Sequence, residues 1–215
     1  MGRVPHRPRV PAFRGEPEPA GCADRPGGGR AGAGLSGGRT AADYAEWDEE
    51  RCRGIEIVDG AVRDRPARSR THQRIIRRLS LGLESACGND LAVEFDVDLR
   101  LRDVPLLNRR PDLVVYDADL PADAVLRPEH CRLVVEVMSP GSITVDQIDK
   151  PAEYAAAGIP QFWRIENTTD EVGGLTVFCY RLDATTHSYV PTGAHQGTLR
   201  VATPVEVSVE LTTLL

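Results

Sequence analysis

One stretch constrains this chain more than any other: Arg132–Glu166, RLVVEVMSPGSITVDQIDKPAEYAAAGIPQFWRIE. Arg132–Val137 is an apolar run of strand length, Ser139-Pro140-Gly141 reads as a tight turn, and Gln161–Glu166 is a second strand. Between them lies room for a helix of about three turns. Thr144 is a candidate N-cap, but Pro151 is tolerated in a first turn, so the helix can equally start near Asp149 and leave Asp146 in the preceding turn. Either register sets Lys150 near the helix start, and Gly158-Ile159-Pro160 closes the helix. Glu136 interrupts the first strand. An ionised carboxylate among aliphatics costs several kcal/mol unless a cation receives it. Two readings are open: alternation turns Glu136 to water, or Glu136 is a metal ligand at the floor of a cleft.

Two neighbours bear on that choice. Arg110-Pro111-Asp112-Leu113-Val114-Val115-Tyr116 is another β-branched run, and proline is tolerated as the first residue of a strand, so Asp112 sits at the strand's entrance. Lys150 is the only lysine among 26 Lys and Arg residues. A lysine acts on a proton or a water as a compact charge, whereas guanidinium stays protonated. Chance retention of one lysine in an arginine-biased chain is the other explanation.

The remaining segments alternate between elements and turns. Thr40 and Asp43 with Tyr44–Trp47 predict a capped short helix, and Ile55–Val62 a hairpin turned at Asp59-Gly60. Alternation puts Ile55 and Ile57 on one face, Glu56 and Val58 on the other. A basic connector (RDRPARSR, Arg63–Arg70) precedes a helix over Thr71–Ala86 with Ile75, Ile76, Leu79 and Leu83 as its apolar stripe. Arg70, Arg74, Arg77 and Arg78, with the connector arginines, form a basic patch: either a solvated face or a phosphate-contacting rim. His72 is a substrate contact or a local cap partner. Ala92–Leu101 alternates as one strand with Val93, Phe95, Val97, Leu99 and Leu101 inward, and Asp103–Arg110 reads as a loop. Trp163 reads as core. Val172–Arg181, His187–Pro191 and Leu199–Val209 predict a C-terminal β meander.

Residues 1–38 differ in composition: Pro, Gly, Ala and Arg dominate, with too few large apolar groups to offset ordering entropy. To Arg39 the tail carries about +4, leaving about −10 for the rest of a chain whose formal charge is −6. A disordered tail of no defined function is expected, a phosphate-tracking arm being the alternative; residues 39–215 are then the domain. Net acidity argues against a uniform nucleic-acid wrapper. The lack of a bilayer-length apolar run, of a secretory apolar core and of any Cys pairing pattern among five cysteines predicts a cytoplasmic protein with no membrane association.

Asp112, Glu136 and Lys150 together resemble the PD-(D/E)XK nuclease signature, and the wider set of words resembles the Uma-type restriction endonuclease family. Those words are Tyr44–Trp47, Gly54–Val62, Thr71-His72-Gln73, Arg110-Pro111-Asp112, Val135-Glu136 through Ser139-Pro140, Asp146–Lys150, Tyr154 through Gly158-Ile159-Pro160, and Phe162-Trp163. The helix–strand–strand–strand–helix–strand order from residue 71, read from periodicity, is the αβββαβ core this resemblance implies, in an α+β or α/β restriction-endonuclease-like fold with an N-terminal helix-hairpin. One departure stands out: the superfamily's lysine lies two residues after the acid, where this chain has Met138. The resemblance implies a lysine displaced onto the following helix, and Lys150 is the candidate.

The implied activity is phosphodiester hydrolysis, of DNA, with Mg²⁺ or Mn²⁺. Asp112 and Glu136 would hold the metal, the carbonyl of Val137 completing the protein side, while Lys150 orients water. Glu56 matches the family's acidic hairpin position and would support the site, a solvent-facing strand glutamate being the alternative. Two other classes remain open: an inactive nuclease-fold protein that binds nucleic acid or regulates, as Met138 suggests, and a homodimer that uses a meander edge to bind partners.

Overall fold

A computed structural model describes residues 38–138, 148–168 and 174–215. The expected tail (but for Gly38), the Ser139–Gly141 turn, the Thr144 cap and Asp146 lie outside the described residues. Two short helices open the described chain, α1 (Ala41–Ala45) and α2 (Glu49–Cys52), and a hairpin follows, β1 (Ile55–Val58) and β2 (Ala61–Asp64). Thr40 and Asp43 form a reciprocal capping box on α1. At the hairpin turn Asp59 and Gly60 both take positive φ (51° and 77°), the geometry a two-residue turn requires.

Helix α3 (Arg70–Cys87) starts where the Ser69 hydroxyl accepts the His72 N–H at 3.1 Å. Its Ile75, Ile76, Leu79 and Leu83 are buried, as the stripe predicts. The clean alternation from Ala92 to Leu101 predicts one strand, but the structure breaks it into β3 (Leu91–Glu94) and β4 (Leu99–Asp103), which join different sheets. Asp96 takes φ 57° at the break, and Phe95, expected inward, is 48% exposed. The charges explain the kink: Asp96 pairs with Arg65 and Asp98 accepts the Tyr44 hydroxyl at 2.7 Å, partners that a straight strand's open face would not supply. The segment expected as a loop holds β5 (Leu106–Arg109), every residue of which is buried.

Next come β6 (Leu113–Asp117), β7 (Cys131–Val137), α4 (Lys150–Ala156), β8 (Gln161–Thr168), β9 (Gly174–Asp183) and β10 (Ser188–Gln196). A mixed sheet of order β10-β9-β8-β7-β6-β3 results, in which β7 and β8 are parallel, joined across the α4 segment. A second sheet has the order β2-β1-β5-β4. Leu199–Val209, expected as one strand, is instead a hairpin of β11 (Thr198–Val201) and β12 (Val207–Glu210), separate from the large sheet.

Strand alternation divides the core between the two faces of the large sheet. Leu113, Val115, Leu133, Val135 and Trp163 pack against α3, joined by Leu211 and Leu214 from the C-terminus. Val114, Val134 and Phe162 face the other way, under Tyr154 of α4 and Ile159. Glu136 shares the parity of Val134, so it points to the side covered by α4. The carboxylate is therefore not solvent-facing: Glu136 is fully buried.

Candidate active site

The β6–β7 ladder pairs Leu113 with Val135 and Val114 with Val134. Asp112 directly precedes β6, at the end of this ladder where β7 carries Glu136. The Val137 N–H donates to Asp112 Oδ2 at 2.8 Å, which pins the aspartate to the strand end carrying Glu136. Both side chains are almost wholly withdrawn from solvent.

Helix α4 delivers two groups to Glu136. Lys150 Nζ lies 3.1 Å from Oε1, and the Tyr154 hydroxyl donates to the same oxygen at 2.8 Å. One turn of helix separates them, so both reach down from the same face. Lys150 also lies 3.4 Å from Glu56 Oε1, which brings the β1 hairpin into the cluster. Glu56, open between support and solvent in the sequence, is 5% exposed. It accepts Arg109 Nη1 at 2.9 Å and the Arg110 N–H at 3.1 Å. Arg109 grips Glu153 of α4 through Nε (2.6 Å) and Nη2 (2.7 Å), a bidentate clamp between the second sheet and that helix.

Electrostatics follow from this packing. Burial pushes the Glu56 carboxyl up, but Lys150 and Arg109, with the Arg110 N–H, outweigh it and hold Glu56 below its ordinary range. Burial likewise opposes ionisation of Asp112, and the close approach of His72 together with the charges of Arg68 and Lys150 overcomes it, so its pKa is lowered. The Tyr154 hydroxyl moves the other way: burial and the neighbouring Glu136 and Glu56 charges raise it well above the usual phenol value.

The arginines differ most from expectation. Arg68 Nη2 lies 2.9 Å from Asp112 Oδ1, with Arg65 Nη2 at 3.5 Å and His72 Nε2 at 3.3 Å. The connector therefore turns two guanidinium groups inward onto the aspartate. His72, buried at 5% exposure, faces Asp112 rather than capping its own helix; its backbone N–H is what Ser69 caps. Arg70, Arg74 and Arg77 are exposed on α3, whereas Arg78 reaches the carbonyls of Thr213 and Leu215. Sequence reading passed over Arg109, Tyr154 and Glu153. The Arg109-Arg110 pair directly before Pro111-Asp112 was the available signal for the first; Tyr154 opens one of the words of the family resemblance without a role assigned to it, and nothing in the sequence marks Glu153.

This arrangement can be set beside known proteins. The sequence profile of the Uma2 family, described as "putative restriction endonuclease", matches residues 41–213. The chain belongs to the Uma2 family. Similar in fold is a crystal structure from Anabaena variabilis described as "a putative nuclease belonging to DUF820". It is 14% identical, with a TM-score of 0.57 over 81% of this chain and 96% of that one. No functionally curated protein matches the sequence. Membership of Uma2 makes a nuclease, and hence a nucleic-acid substrate, the supported class of activity. As an Uma2 protein it has a mixed α/β structure of several sheets and few helices, and no described helix is long and apolar enough to cross a membrane.

Proposed function

We propose that this Uma2 protein is a divalent-metal-dependent endonuclease that hydrolyses phosphodiester bonds of DNA at the Asp112–Glu136 pair. The observation that carries this reading is the convergence of two ionisable carboxylates from adjacent strands with the chain's only lysine, 3.1 Å from one of them.

Among the described residues no three His, Cys, Asp or Glu side chains group as a metal site. Mg²⁺, however, is commonly held by one or two carboxylates and keeps several waters. Two hard oxygen donors, one held ionised by surrounding cations, fit that demand. Asp112 and Glu136 would hold Mg²⁺ or Mn²⁺, with the Val137 carbonyl as a backbone donor. A bound ion supplies Lewis-acid polarisation of the phosphate and acidifies a water. Lys150 holds a compact positive charge beside Glu136, suited to orienting a water and stabilising negative charge as it develops. Glu56 keeps the ammonium in place, and Tyr154 fixes the rotamer of Glu136.

A second reading, a nuclease-fold protein that binds nucleic acid without cutting it, has one observation in its favour: Asp112 Oδ1 already faces Arg68 and Oδ2 takes the Val137 N–H. Calorimetric titration with Mn²⁺ and cleavage of supercoiled plasmid, each with Asp112→Asn alongside, separates the two. Metal binding and nicking that both vanish in the variant are expected. DNA binding without metal uptake or nicking would establish the second reading instead.

A further inference from the structure

A small cleft of about 190 Å³ opens beside Asp112, lined among others by Arg65, Arg68, Gln73 and Phe95. It is smaller than the roughly 300–1,000 Å³ of pockets for drug-sized ligands, and suits one planar ring or one phosphate. Its lining combines features that neither packing nor the acid pair explains. Phe95 lines the cleft and is 48% exposed overall, turned out of the core by the strand break at Asp96. Arg68 has a side chain only 12% exposed and spends Nη2 on Asp112, yet its Nε makes no hydrogen bond to a described residue. Arg65 Nε is in the same position, 3.7 Å from Glu56. Nε of Arg100, Arg110 and Arg164 likewise makes no hydrogen bond to a described residue, so what sets Arg65 and Arg68 apart is that both line the cleft beside Asp112.

The surrounding field favours an anion there. Helix α3 begins at Arg70, two residues after Arg68, and carries no acidic residue in its first turn, so the positive end of its dipole adds to the field there. The acids nearby are engaged: Asp96 with Arg65 and Arg110, Asp112 with Arg68, Arg65 and the Val137 N–H. The Nε edge of Arg68 remains turned toward no protein acceptor, and a guanidinium edge matches two phosphate oxygens bidentately. An aromatic face next to a phosphate-binding arginine is the pairing by which proteins hold unstacked nucleotides.

We propose that this cleft is a nucleotide subsite: Arg68, aided by Arg65, receives a strand phosphate, and Phe95 stacks the attached base. The substrate is then a strand with an unstacked base beside the cutting site, single-stranded or locally unpaired DNA rather than intact duplex. Assignment as a substrate subsite rests on the nuclease reading above, but binding itself does not require cleavage or metal.

The test is therefore an equilibrium one in excess EDTA, using the full chain. Thymidine 5′-monophosphate, inorganic phosphate and thymidine are titrated separately and followed by ligand-observed NMR, against wild type, Phe95→Ala and Arg68→Gln. Thymidine monophosphate is expected to bind tighter than either fragment. Phe95→Ala should weaken it about tenfold, the order of one lost stacking platform, while leaving inorganic phosphate unchanged; Arg68→Gln should weaken both at least about tenfold. Phe95 is half-exposed, so its variant keeps the proposal open to refutation should Arg68→Gln fail to fold. Equal binding of nucleotide and phosphate, indifference to Phe95→Ala, or no binding at all would each overturn the subsite. Nucleotide binding by a protein that cannot nick DNA in Mn²⁺ would instead remove the nuclease reading, and nicking without nucleotide binding removes only this inference.

Discussion

Replacing Lys150 by methionine removes one charge from between two buried carboxylates. In the native protein Lys150 is 2% exposed, and its ammonium lies 3.1 Å from Glu136 and 3.4 Å from Glu56. Methionine fills a similar volume, so the change is chiefly electrostatic. Deleting one partner of a buried ion pair costs about 3–5 kcal/mol, because the other charge is left uncompensated. Here the remaining contacts soften the loss: Glu56 keeps Arg109 and the Arg110 N–H, and Glu136 keeps the Tyr154 hydroxyl. The lower end, about 3 kcal/mol, is therefore expected. At about 2–4 °C per kcal/mol for a domain of this size, Tm should fall by about 6–12 °C. Urea unfolding and calorimetry measure it, and the double variant with Glu136→Gln should recover part of the loss, since the uncompensated charge is then gone. A fall under about 1 kcal/mol, or strict additivity with Glu136→Gln, would refute the buried-pair reasoning. Activity is a separate readout: Lys150→Arg keeps the charge but not the compact ammonium, so nicking should drop by about two to four orders of magnitude in both variants.

Three further expectations follow from the same packing. Tyr154→Phe removes a hydroxyl donor to a buried carboxylate, so unfolding free energy should fall by about 1.5–3 kcal/mol; an unchanged urea midpoint would show that Glu136 does not depend on it. The pKa values of Glu56 and Asp112 are both lowered on folding, so the stability they contribute is complete above their unfolded pKa values near about 4 and is lost as pH falls through the folded ones. Tm should thus hold between about pH 7 and 5 and drop steeply below about pH 4, and Lys150→Met should move that drop to higher pH by removing a cation from Glu56; a drop at the same pH in both would contradict the assignment. Burial pushes the Cys131 and Cys179 thiols up to about 12, so neither should react with a disulfide reagent near about pH 8 until denaturant is added; peptide mapping that finds either labelled in native protein would count against this packing.

Much of the site's raw material was legible in the chain. Glu136 stands out because a lone carboxylate breaks an aliphatic run, Asp112 because Pro111 opens its strand, and Lys150 because no other lysine exists. The partners were less visible. Arg65 and Arg68 read as members of a basic patch, yet the structure turns them onto Asp112 while Arg70, Arg74 and Arg77 stay at the surface. Charge count along a connector carries no information about direction, since that depends on where α3 and the β1–β2 hairpin place its two ends. Phe95 is the opposite error. Perfect alternation assigned it to the core, but satisfying Asp96 and Asp98 with Arg65, Arg110 and Tyr44 broke the strand and exposed the ring.

By itself, then, the sequence determined the elements whose signals are local: the α3 stripe, the Asp59-Gly60 turn, and the apolar strands β6 and β7. Periodicity and turn chemistry act over a few residues, so they survive without knowledge of the rest of the fold. Only the tertiary structure decided that Glu56 joins Lys150, that Arg109 clamps Glu153, and that Tyr154 reaches Glu136. Those pairs lie from 18 to 94 residues apart in the chain, and what selects them is the requirement that each buried charge find a partner once two sheets and α4 close over the same strand ends.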